Sequence, residues 1–365
     1  MSGQRLAMVL LLVVLSTGCW DQRIVDQIDY AVNVGVDARP NGGISMSVTA
    51  PALQADQPRP VLYATVADTL REARERLRRQ SNGRLEAGKM EQVFFGETLA
   101  RRGILDYLDV IIRDPFNPIL ARVVVVKGSA KGFLQQAIKW KSLLLPGLYL
   151  GKLLDQAASI GDISPGGINH FLTGYYAPGV DPLPPMIEAT EERANILGSA
   201  LFRDDKMVGE LNVDETFLVT VLRGRATMHN QALPLPRGLA RGKRKMIMRF
   251  NRGKAKLEIE LGAGVPRVVY DIKFDALLED FHLGFPITDK VLKEVETAAA
   301  GALRRRFEAV WEKLRRANSD PIGLGNQVRA KHNAYWLRHD WREVFPKINA
   351  AFRVKVNVQN YGVMR

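Results

Sequence analysis

The spacing of apolar residues along the chain predicts a series of short strands. Apolar and polar residues alternate over residues 30–36 and again over 44–48, and the turn cluster at 40–43 between them predicts a β-hairpin. A short strand is predicted over residues 92–95. Four consecutive valines at 123–126 predict a strand that is buried on both faces.

Helical spacing occurs in four other stretches. Apolar residues three or four positions apart predict helices over residues 65–79, 99–112 and 133–158, the last with a break near Pro146. A longer helix is predicted after Thr288, whose hydroxyl can cap its first turn. Its predicted apolar face consists of Val291, Val295, Ala299, Leu303, Phe307, Trp311 and Leu314.

The second half of the chain is predicted to contain more strands. They lie at residues 199–203, 216–222, 245–250, 256–261, 268–274 and 352–358. The predicted fold class is therefore α+β, a mixed multi-lobed protein with several small sheets packed by helices and no doubly wound nucleotide fold. Four prolines within residues 178–185 predict a stiff connection at the main boundary, with an N-terminal domain over 19–190 and a C-terminal domain over 195–365.

The first 18 residues have the pattern of a secretory signal peptide. Arg5 precedes ten apolar residues, 6–15, which are too few to span a bilayer, and the small residues 16–18 lead into Cys19. This end resembles a bacterial lipobox, in which signal peptidase cuts before a lipid-modified cysteine, although Ser16 stands where leucine is usual. An uncleaved membrane anchor is the alternative.

Cys19 is the only cysteine of the chain, which excludes a framework of disulfide bonds. A free thiol outside the cell is reactive, and a thioether bond to diacylglycerol removes that reactivity. Two acyl chains also hold a protein stably on a bilayer, which one chain does not. We therefore expect Cys19 to be the mature N-terminus and the site of lipid attachment.

The chain is basic, with a formal net charge of +13. Removal of residues 1–18, which contain one basic and no acidic residue, lowers that charge to +12. Nine basic residues and no acidic residue lie between positions 237 and 256. This run can orient the protein on an anionic membrane or meet an acidic partner, and a solvated strand edge is the alternative. We do not expect an exported protein to bind nucleic acid.

The sequence contains no recognisable motif of an enzyme, a metal site or a cofactor site. Its five histidines are His170, His229, His282, His332 and His339. They do not form the metal-binding pattern HExxH, and neither a GxSxG nucleophile elbow nor a phosphate-binding GxxxxGK(S/T) loop is present. We therefore expect no catalytic residue, no metal and no cofactor.

Both ends of the chain resemble one protein family. Residues 18–23 (GCWDQR) are similar to the GCWDxRE opening of the Ger(x)C spore germination lipoproteins, with Ile24 where glutamate is common. Segments at 113–115, 198–202 and 206–209 also fit that family's pattern. Its C-terminal signature is matched by Asp320, Pro321, Ile322, Gly323, Leu324, Gly325, Asn326, Lys331, Trp336, Trp341, Phe345, Pro346 and Gly362.

This resemblance spans nearly the whole chain and implies the C subunit of a nutrient germinant receptor. In that family the protein is a lipoprotein on the outer face of the spore inner membrane, and it acts with a multi-pass A subunit and a permease-like B subunit. The implied fold is a mixed α/β protein of several lobes without catalytic machinery. The resemblance names neither the germinant nor the subunit that binds it.

The residues of the two end motifs have either a structural role or a role in an interface. The turn residues can end the long helix, and the aromatic residues can belong to the core, but interfaces are also rich in aromatic residues. The candidates are Trp20, Asp21, Arg23, Asp320, Gly323, Gly325, Trp336, Trp341 and Pro346.

Two other functions are considered. A lipid-anchored solute-binding protein that delivers its solute to a transporter is disfavoured by the predicted hairpins, because such a protein should be doubly wound. A secreted hydrolase would require a buried pair of carboxylates or a nucleophile in contact with a base.

Overall fold

The computed structural model describes Gly3 and residues 28–52, 59–81, 83–141, 145–225, 228–236, 245–262, 264–280 and 288–360. Cys19, Trp20, Asp21 and Arg23 lie outside these residues, as do residues 237–244 of the basic run. The signal peptide, the lipid attachment site and that part of the basic run therefore remain predictions.

The N-terminal lobe, which we define as residues 28–212, is built on an eight-stranded mixed sheet. The strands of this lobe are β1 (Ile28–Tyr30), β2 (Asn33–Ala38), β3 (Ile44–Ala52), β4 (Arg59–Ala67), β5 (Arg84–Glu86), β6 (Gln92–Gly96), β7 (Arg122–Val126), β8 (Pro185–Ala189), β9 (Ala194–Arg203) and β10 (Lys206–Asn212). The order in the large sheet is β10-β9-β8-β7-β6-β2-β3-β4, and β1 pairs separately with β5. Strands β2, β6, β7 and β8 are parallel neighbours, and antiparallel strands extend the sheet at both ends.

Helices cover both faces of this sheet. They are α1 (Leu70–Arg78), α2 (Glu97–Arg102), α3 (Leu105–Ile112), α4 (Ala130–Ala137), α5 (Pro146–Ser159) and α6 (Ile168–Tyr176). Val123 and Val125 belong to the core under α1, α2, α3 and α6, whereas Val124 and Val126 belong to the core under α4 and α5. The four-valine strand is thus central and buried on both faces, as predicted.

The hydrogen bonding of the large sheet continues past the predicted domain boundary. Strand β8 ends at Ala189, and the antiparallel strands β9 and β10 that follow it complete the sheet at Asn212. The division at residues 190–195 remains a prediction about domains. For the structure we use residue 213 as the start of the C-terminal lobe, because the sheet ends there.

Residues 216–222, predicted as a strand, belong to helix α7 (Val213–Leu222). The side chain of Asn212 accepts the main-chain N–H of Glu215, and the Glu215 carboxylate accepts that of Asn212, which forms a capping box. Because residues 216–222 are all buried, the helix shows no polar stripe. A short run that is apolar on every side does not distinguish a helix from a strand, so the strand prediction is wrong.

The C-terminal lobe packs one long helix against a four-stranded sheet. Its strands, in spatial order, are β11 (His229–Pro234), β12 (Lys245–Glu260), β13 (Arg267–Asp280) and β14 (Ala350–Asn360). Helix α8 (Asp289–Ala317) is capped by Thr288, and its predicted apolar face is buried from Val295 to Leu314. Three short helices, α9 (Leu324–Lys331), α10 (Asn333–Trp336) and α11 (Trp341–Val344), and the 3-10 turn Phe345–Lys347 connect α8 to β14.

Three predicted boundaries need correction, while the α+β class is confirmed. Val66 lies in β4, because Thr69 caps α1 and starts it at the next residue. Residues 99–112 contain two helices, separated at Gly103, whose φ of 124° interrupts the helix. Residues 245–250 and 256–261 belong largely to the single strand β12, which has an irregularity between them.

Candidate functional site: an aspartate junction between the lobes

Two buried aspartates join the connection before β8 to the loop after α8. Asp181 and Asp320 are each 1% exposed. The main-chain N–H of Asp181 donates to the carbonyl of Asp320 at 2.9 Å, and the N–H of Asp320 donates to Oδ2 of Asp181 at 2.7 Å. We call these two residues, with Asp204, Trp341 and Arg342 around them, the aspartate junction.

The carboxylate of Asp320 organises the turn between α8 and α9. Oδ1 accepts the main-chain N–H groups of Gly323 (2.8 Å) and Leu324 (3.1 Å). Oδ2 accepts the N–H of Gly325 (2.8 Å) and the indole N–H of Trp341 (3.1 Å). Burial raises the pKa of Asp320 to about 6, while the main-chain donors act in the opposite direction. The group is therefore ionised at neutral pH, as four N–H donors require.

The carboxylate of Asp181 is held by the guanidinium of Arg342. Nη1 donates to Oδ2 and Nη2 to Oδ1, both at 2.7 Å, so the contact is a two-pronged ion pair. Nη2 also donates to Oδ1 of Asp204 at 2.7 Å, and the N–H of Asp204 donates to Oδ1 of Asp181 at 3.1 Å. Hydrogen bonding to Asp181 raises the pKa of Arg342 above its usual value.

Gly179 and Gly325 allow the backbones of the two lobes to come into contact at this point. The N–H of Asn326 donates to the carbonyl of Gly179 at 3.2 Å. A Cβ on Gly325 would lie 2.5 Å from Nε1 of Trp341 and 2.6 Å from Cα of Gly179, which is too close for any side chain. Gly323 has φ of 80°, a left-handed conformation that favours glycine.

The hydrogen bonds of the aspartate junction connect the two lobes. Each of its two buried carboxylates accepts hydrogen bonds on both oxygens from groups of the protein itself. A general acid or base must instead reach the proton of a substrate. The buried carboxylate pair that a hydrolase would require is thus present, but its oxygens are already occupied.

The structure brings part of the predicted C-terminal motif to this junction. The predicted residues that lie in it are Asp320, Gly323, Gly325 and Trp341. Trp336 packs against Trp341 with ring centroids 5.8 Å apart. Pro346 lies outside the junction, where its carbonyl accepts the Nε–H of Arg315 at 2.8 Å.

Sequence reasoning missed the partners on the other side of the junction. Asp181 lies in a proline-rich stretch that the sequence predicts only to be a connection, and Gly179 precedes it by two residues. Arg342 follows a predicted residue, but it is 161 positions away from Asp181. The only local signal was a single acidic residue within an otherwise apolar and proline-rich segment, which suggests a buried and paired charge.

His229 forms a second polar contact between the lobes. Its Nδ1 lies 3.0 Å from Oδ1 of Asp162, and its Nε2 lies 3.0 Å from Oδ1 of Asp214. Burial lowers the pKa of His229, but the hydrogen bonds and charges of the two aspartates outweigh it and raise the pKa above its usual value. Arg306 donates to Oδ2 of Asp214 at 3.5 Å and to Oε1 of Gln231 at 2.9 Å.

Within the part of the chain that the structure describes, no cluster of three or more histidine, cysteine or acidic side chains could hold a metal ion. Over those same residues, no helix is both long enough and apolar enough to cross a bilayer.

Comparison with protein families gives two matches that follow one another along the chain. Residues 21–189 match the family described as "Spore germination protein N-terminal domain", and residues 197–362 match "Spore germination B3/ GerAC like, C-terminal". The second match contains the whole turn around Asp320, and the first contains Asp181. The two halves of the aspartate junction therefore lie in two different family domains.

Full-length relatives are similar to the chain from end to end. Spore germination protein GerQC of Bacillus cereus is 24% identical, and the aligned region covers 99% of this chain and 99% of GerQC. Spore germination protein KC of Bacillus subtilis (strain 168) is 22% identical over 98% of this chain and 95% of its own length. The crystal structure of the GerBC protein has a similar fold, with a TM-score of 0.58 and 17% identity over 92% of this chain and all of that one.

Proposed function

We propose, because the chain belongs to the Ger(x)C family of spore germination proteins, that it is the lipid-anchored, non-enzymatic C subunit of a nutrient germinant receptor. The observation that carries this proposal is the pair of family matches over residues 21–189 and 197–362, which together leave little of the mature chain unmatched. Relatives named as spore germination proteins are similar over the same full length.

The sequence of the N-terminus supports lipid anchoring. Cys19 follows a signal-like apolar run and lies two residues before the family match begins at residue 21. In the proposed arrangement, diacylglycerol on Cys19 holds the protein at the outer face of the spore inner membrane. There it works with a multi-pass A subunit and a permease-like B subunit.

The geometry of the buried carboxylates supports a non-enzymatic role. Asp181 and Asp320 are the buried acidic pair nearest to a catalytic arrangement, and internal donors hold all four of their oxygens. We therefore propose that the protein contributes binding surfaces to a receptor, and that its germination activity does not depend on a chemical step.

Deletion of the gene in its own spore-forming host tests the receptor role. Spores without it are expected to lose germination in response to one set of nutrients while they still germinate when a receptor-independent chemical trigger is applied. Normal germination with every nutrient of a broad panel would contradict the proposal.

Replacement of the anchor residue tests lipidation separately. Cys19→Ala is expected to abolish incorporation of labelled palmitate, because the thioether bond to diacylglycerol needs the Cys19 thiol. Val25→Ala, which keeps the cysteine and lies outside the lipobox, is the matched control. Labelled palmitate in the Cys19→Ala protein would show that Cys19 is not the site of lipid attachment.

A further inference from the structure

A small cavity lies between the two lobes, next to the aspartate junction. Its volume is about 200 Å³, and helix α6, the residues before β8 and the residues after α7 line it. A space of this size has room for several water molecules or one small molecule. Its main polar side chains are Ser164, His170, Asp181, Arg223, Arg225 and Asn326.

The guanidinium of Arg223 faces this cavity without a counter-charge. Among the described residues, the guanidinium makes one hydrogen bond, from Nη1 to the hydroxyl of Ser164 at 3.0 Å, and no carboxylate lies within 4.0 Å of it. A guanidinium has five N–H donors, so four of them have no hydrogen-bond acceptor among the described residues. Arg223 is half-buried, and charges that are partly withdrawn from water normally have an ionic partner, whereas this one has none among the described residues.

Two further basic groups border the same space. Burial and the nearby charge of Arg225 lower the pKa of Arg223 to about 10. Burial and the charges of both arginines also lower the pKa of His170 below its usual value. The two arginines thus repel each other and also disfavour the protonated form of His170, and an anion placed among the three groups would relieve both effects.

The acidic groups near the cavity do not neutralise it. Asp181 lines the cavity, but both of its oxygens accept hydrogen bonds from Arg342 and from main-chain N–H groups. The charge of Asp320 attracts Arg223, yet its oxygens are bonded to the turn that follows α8 and to Trp341. The unused donors of Arg223 are therefore available to a ligand.

We propose that this space, which we call the arginine cavity, binds a small oxyanion through Arg223, with Arg225 and His170 beside it. The oxyanion is a carboxylate or a phosphate group, because a guanidinium fork matches two oxygens of either. Both lobes line the cavity, so a bound anion contacts both and stabilises their association. This site is independent of the receptor assignment.

Calorimetric titration of the mature chain, purified in detergent, tests the site. Sodium phosphate and sodium acetate are titrated separately at constant ionic strength, with sodium chloride as the reference. Saturable binding of either ion is expected, and the ion that binds more tightly identifies the ligand class. Arg223→Gln is expected to weaken that binding about tenfold or more, because it removes charge-assisted hydrogen bonds.

Two further variants make the result specific. Arg225→Gln, at an exposed position, is expected to weaken binding less than Arg223→Gln does, whereas Lys290→Gln, an exposed basic residue outside the cavity, should leave it unchanged. Circular dichroism checks that each variant is folded. The proposal is overturned if neither ion binds saturably, or if a folded Arg223→Gln protein binds as tightly as the parent.

Discussion

The aspartate junction and the arginine cavity lie next to each other, and they differ in whether their charged groups have partners within the protein. In the junction, Asp181 and Asp320 receive donors on every oxygen. In the cavity, Arg223 uses a single donor and has no ion pair with the described residues. Removal of one partner of a fully paired buried charge is strongly destabilising, and a charge without an ionic partner in the protein is itself unfavourable. The first arrangement therefore fixes the structure, and the second is suited to a ligand.

The largest effect is expected where a fully paired charge loses its partner. Arg342→Leu leaves the Asp181 carboxylate, which is 1% exposed, without its counter-charge. We expect a loss of about 3 kcal/mol in the free energy of unfolding, the lower end for a broken buried pair, because Arg342 is itself partly exposed. Urea unfolding measures it, with the exposed Arg338→Leu as the control. Equal stability of both variants would remove the contrast between the two sites.

A second large effect is expected from the close backbone contact in the junction. Gly325→Ala places a methyl group 2.5 Å from Nε1 of Trp341 and 2.6 Å from Cα of Gly179. We expect the free energy of unfolding, measured by urea denaturation, to fall by about 1–3 kcal/mol, as for other overpacked positions.

The matched control for that substitution is a glycine with room around it. Gly301 lies within α8, and a methyl group there would have Nη1 of Arg305 as its nearest neighbour, at 3.7 Å. Gly301→Ala should stabilise the protein by roughly 0.5–1 kcal/mol, because alanine has the higher helix propensity. Destabilisation of similar size in both variants would show that the contact at Gly325 is not special.

Local patterns predicted the elements of the fold much better than they predicted the junction. The buried strand at 123–126 and the long helix after Thr288 follow from composition and spacing within a few turns of chain. The error at residues 216–222 arose because a helix buried on all sides has no amphipathic spacing. Its capping residue, Asn212, was the available signal.

Such local patterns do not predict the two polar sites, and the reason is physical. Gly323 and Gly325 were recognisable as turn residues, but the donors and acceptors that surround them come from distant segments. Asp181 and Arg342 are 161 positions apart, and Arg223 lies 59 positions from Ser164. Whether a charge is buried, and whether it has a partner, is set by tertiary packing. A single sequence shows neither.

A smaller, pH-dependent effect is expected at His229, another polar contact between the lobes. Asp162, Asp214 and Arg306 are the charged groups that surround it, and Phe217 stacks on its ring. Its pKa is raised in the folded protein. The imidazolium therefore adds stability that is fully present below the pKa of the unfolded state, about 6.5, and is lost as pH rises through the folded-state value.

Unfolding by urea at a series of pH values from about 5 to about 9, which spans the histidine range, measures this dependence. His229→Gln should flatten the decline in stability above the unfolded pKa, because glutamine does not titrate. His339→Gln, on the surface beside Tyr335, should leave the decline as it is. A decline that is unchanged by His229→Gln would assign the pH dependence to other groups.

The smallest effect is expected when the unpaired charge is removed. Without added anion, Arg223→Gln loses the hydrogen bond to Ser164 but no ion pair with the described residues, and it relieves the repulsion from Arg225. These contributions oppose each other, so we expect the free energy of unfolding to change by less than about 1 kcal/mol. The measurement is urea unfolding in buffer free of phosphate and carboxylates, beside Arg342→Leu. A loss as large as that of Arg342→Leu would mean that Arg223 is a structural residue, and the contrast between the junction and the cavity would no longer hold.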